Sequence, residues 1–393
     1  MSEINLIVLE NYKAGADVEG KTYVGGNVTG QASLGIGNSA NHQTAVDSYH
    51  STLAVGGNNS AQLNVKHGSG SGDSYGAYIV GSSGQLDISE AGAVVRIGGS
   101  ASNINLHAGS RIEIGGSLTN INLGAGTSGS PTINKVGGSV TNVNGANNTA
   151  LYVGGSISGN ANANGASFHS NYGFSNATVT APVVTSLSGY TAQLTADVKA
   201  LSVALGALTI ANNPSTITYG SQGPTLHAVA SSAGFAVFNV NENFFSYGEV
   251  KYDFANTSMP VIINISSSNM SLHNAVAATY NWNLNPVSGA NSTHNQQIIW
   301  NFTDASTVNL NRAVFGSILA PTATVTNNGP VNGSVVAKIF NQSGEVHLGT
   351  YARDIEFISA DDSVVPEPAI WLQLITGFGL TGALMRRRQR TIA

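Results

Sequence analysis

VRIGGSASNINL (95–106), IEIGGSLTNINL (112–123), NKVGGSVTNVN (134–144) and LYVGGSISGN (151–160) follow one another along the chain in one internal order. Each has a short β-branched run, a Gly-Gly corner, a small polar residue and a second apolar-polar run. Looser copies stand upstream, TYVGGNVTG (22–30) and LAVGGNNS (53–60). From Val95 onward the copies recur every 17–22 residues, the signature of stacked units rather than unrelated turns. Alternation across Asn103-Ile104-Asn105-Leu106 points Ile104 and Leu106 to one face and the asparagines to the other. Paired glycines supply a corner where the chain bends and neighbouring backbones approach closely. A unit this small cannot bury its own apolar face, but copies stacked about 4.8 Å apart bury one another's. The pattern therefore predicts a β-solenoid of either hand. A Gly/Asn-rich linker is the bland alternative, and the Ile/Leu/Val spacing kept between copies argues against it.

One segment breaks the pattern. In YTAQLTADVKALSVALGAL (190–208), Leu194, Val198, Leu201, Leu205 and Leu208 keep the 4-3-4-3 spacing of a helical face, with Gln193, Asp197, Lys199 and Ser202 elsewhere. At 1.5 Å per residue this helix is about 27 Å long, enough to lie across five or six rungs and seal one side. Pro182 and Pro214 bracket it as breakers. Beyond it, FAVFNVNENFF (235–245), MPVIINISSSNMSL (259–272), HNQQIIWNFTDASTVNL (294–310) and the run 315–348 return to short alternating segments. These read as further rungs of the same body.

Composition excludes several function classes. Of 393 residues only 9% are charged and 7% aromatic, with 47 glycines and no cysteine. A soluble domain ordinarily carries about a quarter charged residues, so Asn, Ser, Thr and Gly must cover this surface. A net charge of −5 over this length gives no field to attract nucleic acid. Without cysteine there is no disulfide framework, no thiol catalysis and no Cys-ligated zinc. Nine histidines scatter from His42 to His347 without an HxxxH pair. Glu345 and His347, two apart on one strand face, read as a solvated face rather than a site. The Gly-Gly corners are followed by Ser or Asn, so the Asp of a calcium-binding nonapeptide is missing. Charge is too sparse to mark the carboxylate groove of a polysaccharide lyase or hydrolase. The expectation is a non-enzymatic protein with no cofactor and no metal.

The opening NYKAGADVEGKTYVGGNV, the later WNFTDASTVNL, the run FGSILAPTATVTNNGPVNGSVVAKIF and GEVHL resemble the choice-of-anchor A domain of exported bacterial proteins. The resemblance spans about Ile4 to Tyr351 and implies an extracellular, adhesin-like β-solenoid with no catalytic residues to carry over. GSILAPTATVTNNGPVNGSVVAK is more loosely similar to ice-binding solenoids, which also lay a long helix on the stack. Ice binding needs a flat, regular threonine array, and Thr322, Thr324 and Thr326 form one local run. The ice-binding-like solenoid and a polysaccharide-active β-helix enzyme are the alternatives.

The end of the chain, VPEPAIWLQLITGFGLTGALMRRRQR (365–390), resembles a PEP-CTERM sorting signal. Its motif is Pro366-Glu367-Pro368, its apolar segment 369–385, and its basic cluster Arg386, Arg387, Arg388 and Arg390. Seventeen helical residues span about 26 Å, enough for a thin bilayer, and arginines after the span stay cytoplasmic. The resemblance implies cleavage near Pro-Glu-Pro by exosortase and release of the body to the cell surface or extracellular matrix. The expected organisation is a solenoid over 1–355, a linker over 356–364 and the sorting signal over 365–390, with a transmembrane helix over 369–385. Expected partners are exosortase, the bilayer before processing, and surface polysaccharide or matrix polymers. MSEINLIVLENYKAG shows no basic-then-apolar leader, so an exported chain of this kind is expected to start upstream of Met1.

Overall fold

A computed structural model describes residues 1–37, 50–66, 72–127, 129–174, 179–210, 212–254, 258–267, 278–288, 292–353 and 355. Met1–Asp354 form one compact unit, and the second, Ile355–Ala393, lies almost wholly outside the described residues. Pro366, Glu367, Pro368, the 369–385 segment, Arg386, Arg387, Arg388 and Arg390 are therefore not described. Among the described residues no helix is long and apolar enough to cross a membrane.

Among the described residues twenty-four strands join in one sheet, and its pairings are parallel. Parallel stacking follows from the repeat, because each copy meets the next at the same position. The aliphatic residue that ends each first strand shows the register. Val8, Val24, Val55, Ile79, Ile97, Ile114, Val136 and Val153 stack partner on partner, each 0% exposed. Burying one such side chain is worth roughly 1.5–3 kcal/mol, so the column is a principal contribution to the core. Just after it, the first glycine of one rung packs on the carbonyl of the rung below. A Cβ on Gly115 would lie 2.3 Å from the Gly98 oxygen, and one on Gly137 2.4 Å from that of Gly115.

The second strands depart from simple alternation. Ala101 and Ile104 both point inward, so Ser102 and Asn103 both face out. Asn103 achieves this with φ +56°, and Asn120 and Asn142 repeat it at +59° and +60°. Asn is the side chain that tolerates this left-handed backbone best after Gly.

The first described strand lies in the middle of the stack. Leu6–Val8 lies between Thr22–Val24 on one side and Val335–Gln342 on the other, with Leu6 opposite Val335. Residues up to Ser167–His169 build outward in one direction. The chain then returns along the outside, where Tyr78 donates from its hydroxyl to the Thr185 carbonyl at 2.9 Å. Helix α1 (Ser188–Gly206) follows. The remaining rungs, from Ala236–Val240 to Val335–Gln342, build back toward the start. Asn5, wholly buried, locks the junction: Nδ2 donates to Gly333 O (3.0 Å) and His347 O (2.9 Å), and Oδ1 accepts from Gly20 N–H.

The helix lies across the rungs as its length predicted. Thr191 at its start meets Tyr23 Oη at 2.5 Å, and Leu205 near its end gives its carbonyl to Asn264 Nδ2 at 2.8 Å. The strands between these contacts are Thr22–Val24, Leu6–Val8, Val335–Gln342, Ser317–Asn327, Ile298–Phe302 and Val261–Ile265, six successive rungs. Two details differ from the leucine stripe. Leu208 falls beyond the helix end, and Ser202, placed off the stripe by sequence, is buried. Its hydroxyl donates to Asn301 Oδ1 at 2.6 Å, and Asn301 Nδ2 donates back to the Ser202 carbonyl. Asn301 also donates to Asn264 Oδ1, so stacked asparagines hold the last turn of the helix.

The second half is not all further rungs of one sheet. Thr216–Tyr219, Pro224–Ala228, Glu249–Phe254 and Asn285–Ser288 form a separate four-stranded sheet whose first pair is antiparallel. Within 235–245 only Ala236–Val240 is a strand. Asn241 caps a following 3-10 turn, Glu242–Ser246, which drives Phe244 and Phe245 into the core.

Candidate functional site: a neutral amide and hydroxyl face

The outward positions of the second strand column form a long array of amide and hydroxyl groups. Followed partner to partner, they read Asn281, Asn309, Thr326, Asn341, Lys13 and Thr29. Bridges Val28–Asn59, Asn59–Ser83 and Ser83–Ala101 carry the column on to Ser102, Thr119, Thr141 and Ser158. Lys13 is its single charge.

Beside this column run side-chain ladders. Asn120 Nδ2 donates to Asn103 Oδ1 at 2.9 Å, and Asn142 Nδ2 to Asn120 Oδ1 at 2.8 Å. Asn122 donates likewise to Asn105 at 2.5 Å, and Asn105 donates to the carboxylate of Asp87. These amides all donate toward the centre of the stack, so their dipoles align and the second chain ends on an anion. Aligned hydrogen bonds polarise one another. At the corners a third ladder uses the residue after Gly-Gly: Ser100 Oγ accepts from Ser117 N–H, Ser117 Oγ from Ser139 N–H, and Ser139 Oγ from Ser156 N–H, at 3.1–3.2 Å. Lower rungs use Asn11, Asn27 and Asn58 in the same role. A short side-chain acceptor is required there because it satisfies a backbone donor that no strand reaches.

Asparagines of four successive rungs line a trough of about 460 Å³ on this face, from Asn103 and Asn105 to Asn160 and Asn162. Asn105, Asn120 and Asn142 each spend their oxygen and one N–H on neighbours, which leaves each amide a second N–H. The trough thus offers repeated neutral donors and acceptors at the rung spacing. It has no group that supplies a proton or a nucleophile.

The first column carries a different pattern. Arg96, Glu113 and Lys135 are register partners, with Glu113 3.3 Å from Arg96 Nε and 3.2 Å from Lys135 Nζ. Alternating sign on successive rungs makes this a cross-strand ion ladder. Tyr152 and His169 continue it as stacked rings 4.5 Å apart. At the start of the helix, Tyr190 packs edge-on to Tyr23 and its hydroxyl lies 3.2 Å from His50 Nε2. Burial, with the Tyr23 and Glu3 charges, pushes the Tyr190 phenol up to about 12, and burial lowers His50.

Glu345 and His347 come together at 2.6 Å, and Asn332 Oδ1 holds the other ring nitrogen at 2.9 Å. Glu345 is 56% exposed, in keeping with a solvated strand face. Thr322, Thr324 and Thr326 lie on the outer face, and pairing enlarges the local run: Thr324 sits beside Thr307, itself beside Thr279. The column then meets Ile339, which ends it after three threonines. Sequence reading missed a chain of three polar groups in the separate sheet. Thr218 Oγ1 lies 2.8 Å from His227 Nε2, and His227 Nδ1 2.7 Å from Asp253 Oδ2. The Asp253 side chain is 67% exposed, so solvent competes for it and the chain ties three strands in register. Residues 218, 227 and 253 lie too far apart for any spacing motif to reveal this. Among the described residues no group of three or more His, Asp or Glu could hold a metal.

No curated protein and no solved structure matches the chain. One family model does, over residues 1–110 and 95–348, which takes in both halves of the stack, the helix and the amide face. The chain belongs to the family described as "Putative Ice-binding-like adhesive domain".

Proposed function

We propose that this protein is an exported, non-enzymatic adhesin whose long amide and hydroxyl face engages neutral surface or matrix polysaccharide. The adhesive family supports a surface or extracellular protein. The observation that carries the reading is the outer column from Asn281 to Ser158, which holds one charge along its length. Repeated hydrogen-bonding groups without charge suit a repeating, uncharged polymer, because no desolvated ion has to be matched. The finer assignment, a choice-of-anchor A protein sorted by exosortase, rests on sequence resemblance. In that reading Pro366-Glu367-Pro368 is the processing motif, 369–385 holds the chain in the inner membrane, and Arg386, Arg387, Arg388 and Arg390 stay cytoplasmic. Contribution to adhesion, biofilm or exopolysaccharide matrix follows release.

The test has two parts. In cells with exosortase the C-terminus is expected to be lost and the body to reach the surface, and without it the chain is expected to stay in the membrane. Full-length chain retained in both strains would overturn sorting. On neutral polysaccharide, the full chain is expected to be retained and N103D/N120D/N142D released, and equal retention of both would overturn the role of the face.

The family description and the Thr279–Thr307–Thr324 column support a second reading, ice binding. A thermal-hysteresis measurement separates the two. Clear hysteresis abolished by T307K would favour ice over polysaccharide.

A further inference from the structure

The two ends of the stack are finished differently. At one end, Ala236–Val240 is buried except for Asn239, and the 3-10 turn Glu242–Ser246 sets Phe244 and Phe245 under Trp300, Trp282 and Phe302. At that end the apolar core is covered, although among the described residues Ala236–Val240 pairs only with Val261–Ile265 and Ala278–Trp282 only with Ala305–Leu310. At the other end, among the described residues, Ile157–Asn162 pairs only with Val140–Asn144, and Ser167–His169 only with Thr149–Val153. Ser158 to Asn162 are exposed throughout, and Ile157 and Phe168 are half-buried against the last core residues. The final rung therefore leaves a row of backbone N–H and C=O groups and a margin of the apolar core open.

Natural sheets guard such an edge with charge, proline or a bulge. Here there is no Asp, Glu, Lys or Arg anywhere from residue 136 to residue 196. Among the described residues the guard is the bulge at Gly159, φ +69°, where the register with Val140–Asn144 slips.

We propose that this edge is a self-association surface: a second copy of the chain pairs its own Ile157–Asn162 strand against it, antiparallel about a two-fold axis. The lack of charge is what fits a second copy. An uncharged edge meets its own image without like-charge repulsion, which a self-complementary two-fold contact demands. A two-fold contact uses the same edge on both copies, so the assembly closes as a pair. The pairing places two amide faces end to end, doubling the length offered to a repeating polymer, which raises its hold through linked contacts.

The chain has no cysteine, so single substitutions report the contact cleanly. S158C, N160C and N162C, made separately in the full chain in mild detergent, are expected to give a disulfide-linked dimer on gentle oxidation in at least one case. N243C, at the covered end, is expected to stay monomeric. The double variant S158K/N160K places charge on the edge and is expected to weaken self-association in sedimentation by roughly tenfold or more, with melting temperature unchanged. A chain that sediments as a monomer at every concentration, cross-linking no stronger than at N243C, or lysine variants that dimerise as the parent does would each overturn the proposal.

Discussion

The two halves of the stack fill the same kind of rung with different material. From Thr22 to His169 the core is a column of Val, Ile, Leu and Ala, and the outside is tied by amide and hydroxyl ladders. From Pro224 to Gln342 an aromatic cluster joins the aliphatic core. Trp282 and Trp300 meet edge-to-face at 4.7 Å and 84°, with Phe244, Phe245, Tyr280 and Phe302 around them. The first half repeats because each rung rests on a near-identical one, so the same small residues suffice at each level. The second half has a separate sheet as an additional layer, and Tyr252 of that sheet meets Trp300 edge-on. Large side chains fill that core while keeping the register, with Phe238, Ile263, Trp300 and Ile318 stacked partner on partner. Repeated small residues and aromatic filling are thus two ways of sealing a stack.

That contrast can be broken in order of expected effect. Trp300→Ala removes a wholly buried ring whose Nε1 donates to Phe315 O at 2.8 Å. It is expected to cost about 3–5 kcal/mol by denaturant unfolding followed by circular dichroism. A loss under about 1 kcal/mol would mean that the aromatic cluster is not the support of its half. Gly115→Ala tests the regular half, since its Cβ would meet the Gly98 carbonyl oxygen at 2.3 Å. The expected loss is roughly 1–3 kcal/mol. Because a stack is stabilised by nearest neighbours, hydrogen exchange is expected to rise in the rungs beyond residue 111 and to stay unchanged around Trp300. Uniform acceleration throughout would show that the halves do not differ in cooperativity. Asn120→Ala is the finest probe. It forces Ala to φ +59° and removes two ladder bonds, an expected loss of about 1–2 kcal/mol. Asn120→Gly keeps the backbone freedom and is expected to recover about half, and equal losses in both variants would assign the whole effect to the ladder.

The regular half was readable because its forces are local in the repeat. Val before Gly-Gly had to be core, and the glycines had to lie under another backbone. The left-handed asparagines were present in the sequence as well: SNI, TNI and TNV each set two polar residues between apolar ones three apart. Strict alternation cannot accommodate that, and the misfit was the available signal. The helix was legible from its leucines, yet Ser202 was not, because its burial depends on Asn301, 99 residues away. The neutral face was half legible. Composition required a surface of Asn, Ser and Thr, but only the register showed that Asn281, Thr326, Thr29 and Ser158 belong to one column. Nothing local could have joined Thr218, His227 and Asp253.

By itself, then, the sequence determined the rung: its width, its corner, its apolar column and the helix that crosses it, all set by periodicity within some twenty residues. Tertiary structure alone decided that the Leu6–Val8 strand lies mid-stack, and that the chain builds to one end, returns outside and closes beside that strand. Asn5 makes that closure by bonding a carbonyl 328 residues away. A contact at such separation leaves no mark on local periodicity, because it depends on which two edges are still free once every rung has stacked.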